Sequence, residues 1–347
     1  MCKRRTVEMR IALALLFLAG QALAAPMSEK EIDATRQEFR RLIDRPRVAL
    51  EPKTNSLVSS NGLEIARIQF ASDAQSVVPG LLVRTSGATR QPAVIVAHGT
   101  GGNKNQQLGL LQTLARAGFV AVAIDGRYHG ERTSLPGTQE YNQAILDAFK
   151  TGHGHPLYYD TVWDIMRLVD YLQTRDDVEP ARIGMIGFSK GGIETYFAAA
   201  ADPRIAVAVP CIGMQEFSWG LEHQDWHGRT DTFKQSFEAA ARESHQPPDA
   251  GFAKEFFDHV TPGIYSRFDG PRMIQLISPR PLLLINGEID HHTPLPGLLD
   301  CAESAREIYA QKRVAEKFRL IIEEKTEHKV TPAAQREANE WFKHWLK

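Results

Sequence analysis

Cysteine is scarce in this chain: three among 347 residues, none in a Cys-x-x-Cys pair and none at metal-ligand spacing from a histidine. That excludes a disulfide framework and the thiolate-held zinc sites. An excess of charge is also missing. The 41 basic and 42 acidic residues leave a formal net charge of −1, so nothing electrostatic draws the chain to nucleic acid or to an anionic membrane. No apolar run reaches the roughly 20 residues that a membrane-crossing helix needs. Internal repeats and low-complexity tracts are absent as well. What the chain does have is a 43% hydrophobic composition, enough to bury a sizeable core in one large α/β domain or in two ordinary ones.

The compact apolar run at residues 11–19 follows Lys3, Arg4, Arg5 and Arg10 and leads into Ala22-Leu23-Ala24. A basic stretch, a short apolar stretch and a small-x-small site, in that order, form the pattern of a secretory signal. Residues 1–24 are therefore expected to be a signal peptide cleaved after Ala24. The mature residues 25–347 would then be exported, periplasmic or secreted, with no stable membrane anchor after processing. Cys2 leaves with the signal; an exported compartment would permit a Cys211–Cys301 disulfide, but two buried free thiols are the favoured reading, cysteine being among the most buried residue types.

In residues 26–50, Ile32, Phe39, Leu42 and Ile43 recur at helical spacing among alternating charges, which predicts an amphipathic helical extension. Residues 52–61 read as a polar linker. Residues 63–70 and 77–83, the latter broken by Pro79-Gly80, read as two antiparallel strands at a sheet edge, where a proline is tolerated. Beyond them the pattern becomes strand, turn, helix, repeated. Near-continuous apolar strands fall at 93–97, 119–124, up to Gly187, 205–209, 281–285 and 318–322. Helical stretches fall at 106–117, 159–173, after Ser189, at 298–311 and at 331–345, and a long loop fills the space before residue 159. This alternation predicts an α/β fold: a mostly parallel twisted sheet of about eight strands with helices on both faces. Residues 212–278 break the pattern with ten aromatic residues at helical spacing, and read as a helical insertion, or lid, ahead of the strand that carries the candidate acid.

Gly187-Phe188-Ser189-Lys190-Gly191 lies where an apolar strand would turn into a helix, the setting in which Gly-x-Ser-x-Gly displays a nucleophilic serine. A serine hydroxyl needs a base, an orienting acid and donors for an oxyanion. The loop after strand 281–285 offers Glu288 and Asp290; Asp290 lies further into the loop, where it can turn back toward a histidine. His328, in the last strand-to-helix loop, is the candidate base, with His291, His292 and His344 as competitors. The candidate oxyanion donors are the backbone N–H groups of Lys190 and of Thr100 in His98-Gly99-Thr100-Gly101-Gly102, with Gly101 as substitute. That loop lacks the Gly-Lys-Ser/Thr ending of a phosphate cradle. Tyr128, His129 and Trp219 are the candidate substrate contacts. Arg127 either lines the acyl pocket with Tyr128 and His129 or, with Arg132, pairs with Glu131 and Asp160, and the Lys190 side chain either attracts an acidic substrate or, the favoured reading, pairs with Glu194.

The order Ser189, Asp290, His328, the run from Asp125 to Arg132, the run from Asp177 to Gly184 and the turn Asn286-Gly287-Glu288-Ile289-Asp290 together resemble the α/β-hydrolase superfamily over nearly all of residues 25–347. They are most similar to its dienelactone-hydrolase-like, acetyl xylan esterase and prolyl-oligopeptidase-like branch. Dienelactone hydrolase itself uses cysteine, so Ser189 disfavours dienelactones as substrates. The resemblance implies a serine carboxylesterase acting on small or medium acyl esters through an acyl-enzyme, with a small-molecule ester as partner and no metal or organic cofactor. A peptidase or amidase, an acyltransferase, and a non-catalytic binding protein on the same scaffold stand as alternatives.

Overall fold

The computed structural model describes residues 25–347, with backbone alone for residues 56–60; the expected signal at 1–24 lies outside the described residues. Helix α1 (Glu29–Ile43) begins at a capping box, Ser28 accepting from Glu31 N–H while the Glu31 carboxylate takes the Ser28 N–H. Such reciprocal caps satisfy donors that a helix start otherwise leaves open. Its apolar stripe plants Phe39 against Tyr159, Phe197 and Phe268.

Strands β1 (Lys53–Ser60), β2 (Leu63–Asp73) and β3 (Ser76–Thr85) form an antiparallel meander. Strand β4 (Gln91–Ala97), helix α2 (Leu108–Arg116), β5 (Val120–Ile124), α3 (Gln139–Thr151), α4 (Tyr159–Gln173), β6 (Val178–Phe188), α5 (Lys190–Ala201) and β7 (Ile205–Cys211) follow. The insertion then contributes α6 (Phe217–Glu222), α7 (His227–Thr230), α8 (Lys234–Glu243), α9 (Ala250–Val260) and α10 (Gly270–Met273). The chain closes with β8 (Leu282–Gly287), α11 (Leu295–Gln311), β9 (Phe318–Glu323) and α12 (Pro332–Leu346). Among the described residues the strands form one nine-stranded sheet, ordered β1-β2-β3-β5-β4-β6-β7-β8-β9 and parallel from β5 through β9.

Side-chain alternation sorts the core into two layers. Val94, Val96, Ala121 and Ala123 face α2 and α12, whereas Ala93, Ile95, Val120 and Val122 face α4, α5 and α11. Both faces are covered, which is why these strands read as unbroken apolar runs. No helix among the described residues is long and apolar enough to cross a membrane.

Three expectations need correction. The ninth strand is β1, in the stretch read as a linker; Lys53 to Ser60 is polar because an edge strand needs backbone pairing rather than a buried face, and it pairs antiparallel with β2 with one register shift between Ser56 and Val58. The strand with Pro79 is not at the edge, since β3 lies between β2 and β5. Pro79 O accepts from Asp125 N–H at 3.1 Å, so its nitrogen faces the end of β5. There the Arg132 guanidinium donates to Asp125 O at 3.1 Å, serving the carbonyl that a proline cannot. Finally, the long loop before residue 159 contains α3, whose Tyr141, Ile145, Leu146 and Phe149 bury one face. Phe149 stacks on Phe256 and meets Phe252 edge-on, so α3 completes the aromatic core of the insertion.

The C-terminal end of α5 is held by arginines. Arg280 donates to five carbonyls, those of Ala199, Asp202, Ile205, Leu276 and Ile277, at 2.6–3.3 Å. Arg36 of α1 adds Ala200 O and Leu276 O, each at 2.9 Å. These charge-assisted bonds cap carbonyls that the helix itself leaves unpaired. Arg280→Met is expected to lower unfolding free energy by about 2 kcal/mol in equilibrium urea denaturation, the scale of losing bonds to a charged donor.

Candidate active site

Strand β6 ends at Phe188 and α5 starts at Lys190, leaving Ser189 alone to make the turn at φ 55° and ψ −117°. A non-glycine residue holds such angles only where its surroundings enforce them. Here Ser189 N–H donates to Cys211 O of β7 and Ser189 O accepts from Ile193 N–H, both at 3.0 Å. On the other flank a Cβ at Gly191 would lie 2.4 Å from Ala97 O of β4, so only glycine lets the helix sit this close to the sheet.

The loops after β8 and β9 converge on this turn. His328 Nε2 lies 2.7 Å from Ser189 Oγ, and His328 Nδ1 lies 2.9 and 2.8 Å from the two carboxylate oxygens of Asp290. The Asp290 side chain is fully buried and takes the N–H groups of His292 (2.9 Å) and Thr293 (3.2 Å) on Oδ1. An anion so held keeps the imidazole proton on Nδ1 and leaves the Nε2 lone pair facing the serine hydroxyl. Glu288 is exposed and accepts Lys325 N–H at 2.7 Å. Of the competing histidines, His292 meets the His328 ring edge-on at 4.7 Å, and its Nδ1 bonds Gly228 O of the insertion.

The loop after β4 passes directly beside the serine: a Cβ on Gly99 would be 3.5 Å from Ser189 Cβ. Gly102 N–H closes a turn onto Gly99 O at 3.0 Å, which leaves the Thr100 amide outside the turn's own bond. As the first residue of α5, Lys190 likewise carries an N–H that no earlier turn of the helix can use. His98 fixes this loop. Burial and the Lys190 charge hold its imidazole neutral down to about 4, so Nδ1–H donates to Gly99 O (2.8 Å) while Nε2 accepts Gly126 N–H (3.0 Å). The buried Asp125 carboxylate ties the next turns down, taking Lys104 N–H at 2.8 Å, Lys104 Nζ at 2.6 Å and Glu131 N–H at 2.9 Å.

The Lys190 side chain is 1% exposed, paired with Glu194 and set over the Tyr141 ring at 5.7 Å. Burial raises the Glu194 carboxyl, and Lys190 opposes that rise. Its ammonium is therefore not presented to a substrate. The three candidate contacts face three different spaces. His129 is buried against Tyr141 and borders an open groove of about 470 Å³ along Gly101 and Gly102. Half-buried Tyr128, at φ 60°, borders a cleft of about 820 Å³ on the far side of its loop. Trp219 stacks on His223 at 4.4 Å and lines a narrow pocket with His292. Arg127 and Arg132 are ion-paired, but to Asp164 and, for Arg127, also Asp73; Lys104 takes Glu131 and Arg45 takes Asp160. The partners come from the end of β2 and from α4, distant in sequence, which is why local spacing pointed elsewhere. Cys211 and Cys301 are buried free thiols.

Among the described residues no group of three or more His, Cys, Asp or Glu is arranged to hold a metal ion. Sequence reading gave no role to His98, Asp125 or Arg229 and weighed His292 only as a rival base. His98 and Asp125 sit inside recognised motifs; Arg229 carries no local signal, because its partners Gln215 and Thr293 lie 14 and 64 residues away.

Residues 78–244 match the dienelactone hydrolase family. Over 270 residues the chain is 25% identical to "Putative hydrolase YtaP" of Bacillus subtilis (strain 168), covering 74% of this chain and 79% of that protein. An acetyl xylan esterase from Paenibacillus sp. R4 superimposes with a TM-score of 0.63 at 19% identity, over 92% of this chain and 96% of its own. A glucuronoyl esterase from Solibacter usitatus does so with a TM-score of 0.59 at 15% identity, over 90% and 92%. At such identities the two structures establish a shared α/β-hydrolase fold.

The neutral His98 has a consequence for stability. A free histidine titrates near 6.5 and the folded one near 4. Between those values the unfolded chain binds a proton that the folded chain refuses, so stability is full above the upper value and falls as the pH drops toward the lower. Denaturation at pH 7 and pH 5 is expected to show a loss about 2 kcal/mol smaller in His98→Gln than in the wild type.

Proposed function

We propose that this hydrolase, an α/β-hydrolase fold carrying a dienelactone hydrolase family domain over residues 78–244, is a serine carboxylesterase for small or medium acyl esters. The observation that carries the reading is the line of hydrogen bonds from Ser189 Oγ through His328 to the buried Asp290. His328 Nε2 takes the hydroxyl proton as Ser189 Oγ attacks the ester carbonyl, and Asp290 stabilises the imidazolium that forms. The N–H groups of Lys190 and Thr100 donate to the oxyanion. Collapse of the tetrahedral intermediate releases the alcohol with the proton from His328. Water, deprotonated by the same nitrogen, then attacks the acyl-enzyme and frees Ser189 and the acid.

The esterase reading is favoured over amide cleavage by the company the chain keeps: the structural neighbours named above are an acetyl xylan esterase and a glucuronoyl esterase. Ser189→Ala is expected to abolish fluorophosphonate labelling and to lower kcat on p-nitrophenyl acetate by about 10⁴-fold or more. Asp290→Asn is expected to keep the labelling site but to lose activity on a similar scale, through the wrong imidazole tautomer. Unchanged turnover in Ser189→Ala would reject the mechanism.

Export is the second part of the proposal, with residues 1–24 as a signal cleaved after Ala24. Mass spectrometry of the protein from a periplasmic or culture fraction is expected to find Ala25 at the N-terminus; an intact Met1 in a cytoplasmic pool would refute it.

A further inference from the structure

The two outer strands of the sheet are built differently. At one edge β1 opens with Lys53, Thr54 and Asn55, all exposed, and its pairing with β2 slips after Ser56. Exposed polar residues and an irregular register are ordinary ways of keeping an edge strand from pairing with another molecule. The other edge is β9, which reads Phe318-Arg319-Leu320-Ile321-Ile322-Glu323 and follows β8 residue for residue, without a register shift, a lysine or a proline. Two of the five large apolar side chains exposed among the described residues fall here: Ile322, 36% exposed, and Ile289, 55% exposed, whose N–H bonds Thr326 O just past the strand. Among the described residues no strand lies on the outer side of β9.

The direction in which each residue turns its backbone is fixed at the strand's end. Glu323 O accepts Glu288 N–H at 3.0 Å, so Glu323, and with it Ile321 and Arg319, point N–H and C=O toward β8. Phe318, Leu320 and Ile322 point theirs outward, where an edge strand leaves them unpaired. Side chains alternate too. Arg319, Ile321 and Glu323 lie on the α12 face, Arg319 meeting Glu337 at 3.0 Å and Glu323 taking Thr331 N–H at 3.1 Å, while Phe318 and Leu320 pack on the opposite layer. The Arg319–Glu337 pair is about half exposed at both ends; such a pair holds its partners loosely.

We propose that β9 is the interface with a second copy of this chain, pairing antiparallel with the partner's β9 across a two-fold axis at Ile321. The strand is self-complementary about that residue. In this register Ile321 faces the partner's Ile321, Leu320 faces the partner's Ile322, and Arg319 faces the partner's Glu323 in both halves. Every cation meets an anion and every apolar residue an apolar one. The outward N–H and C=O groups of Leu320 and Ile322 form the hydrogen-bonded pairs, and Arg319 with the partner's Glu323 falls on a non-hydrogen-bonded pair, where cross-strand side chains come closest. Sliding one strand by two residues sets Arg319 against Lys325 in one direction and against Ile321 in the other, so the charges select the first register. The contact is isologous, closes on itself and covers both apolar edges at once.

Sedimentation velocity of the purified protein over a micromolar concentration series is expected to show a species of twice the chain's mass in equilibrium with monomer. Arg319→Glu sets like charges against each other at two places, and Ile322→Lys puts a charge on the shared edge. Each is expected to raise the dimer dissociation constant by about tenfold or more. The register has its own readout. Ile321→Cys is expected to form a disulfide-linked dimer under mild oxidation, because facing residues of a non-hydrogen-bonded pair bring their Cα atoms to roughly 4.5 Å; the native thiols Cys211 and Cys301 are buried and do not compete. A wild type that stays monomeric throughout the series, a dimer that both charged variants leave intact, or assemblies that grow without closing overturn the proposal. An Ile321→Cys protein that dimerises without cross-linking rejects the axis at Ile321.

Discussion

The site depends on one tight turn. Ser189 has to carry β6 into α5 within a single residue, and its φ of 55° is tolerable only because both flanking strands grip it. Strand β7 supplies the carbonyl of Cys211 for its N–H, and β4 comes close enough to Gly191 that any side chain there would strike Ala97 O. Strain of this kind costs on the order of 1–3 kcal/mol, and it is sustained by the apolar strands that meet beneath it. Those strands also set where the other loops end. Because β4, β6, β8 and β9 run parallel, the loops bearing Gly99, Ser189, Asp290 and His328 all leave the sheet at the same edge.

Around that turn the chain buries several charged side chains and pairs them locally. Lys104 with Asp125, Lys190 with Glu194, and Arg127 and Arg132 with Asp164 form a paired layer beneath the loops. Such pairs are weak contributors to net stability, but each fixes a loop at a given height above the sheet. His98 works in the same layer as a neutral group, joining Gly99 O to Gly126 N–H because burial and, next, the Lys190 charge keep the second proton off it. The Lys190 side chain thus belongs to the support beneath Ser189.

The fold was legible wherever one face or both faces of an element had to be apolar. The runs at 93–97, 119–124 and 281–285 became β4, β5 and β8, and the stretch 159–173 became α4 with those bounds. Where burial did not govern the residue types, reading failed. The polar β1 is held by backbone pairing, and α3 passed for loop although Tyr141, Ile145 and Phe149 carry a helical stripe, because its partner surface lies about 100 residues away in the insertion. The ion pairs of Arg127 and Arg132 went to Asp73 and Asp164 for a similar reason: sequence spacing sees neighbours along the chain, and these partners come from β2 and α4.

By itself the sequence determined the α/β alternation, the strand-to-helix turn at Ser189 and the order in which Ser189, Asp290 and His328 follow one another. These are consequences of local periodicity and of glycine placed where backbones crowd. Only the tertiary structure decided that His328 Nε2 lies 2.7 Å from Ser189 Oγ and that Lys190 is turned away from solvent to pair with Glu194. Those outcomes depend on how far apart strand ends lie and on which loops share one edge of the sheet. Distances and desolvation of that kind arise between segments, and no single segment encodes them.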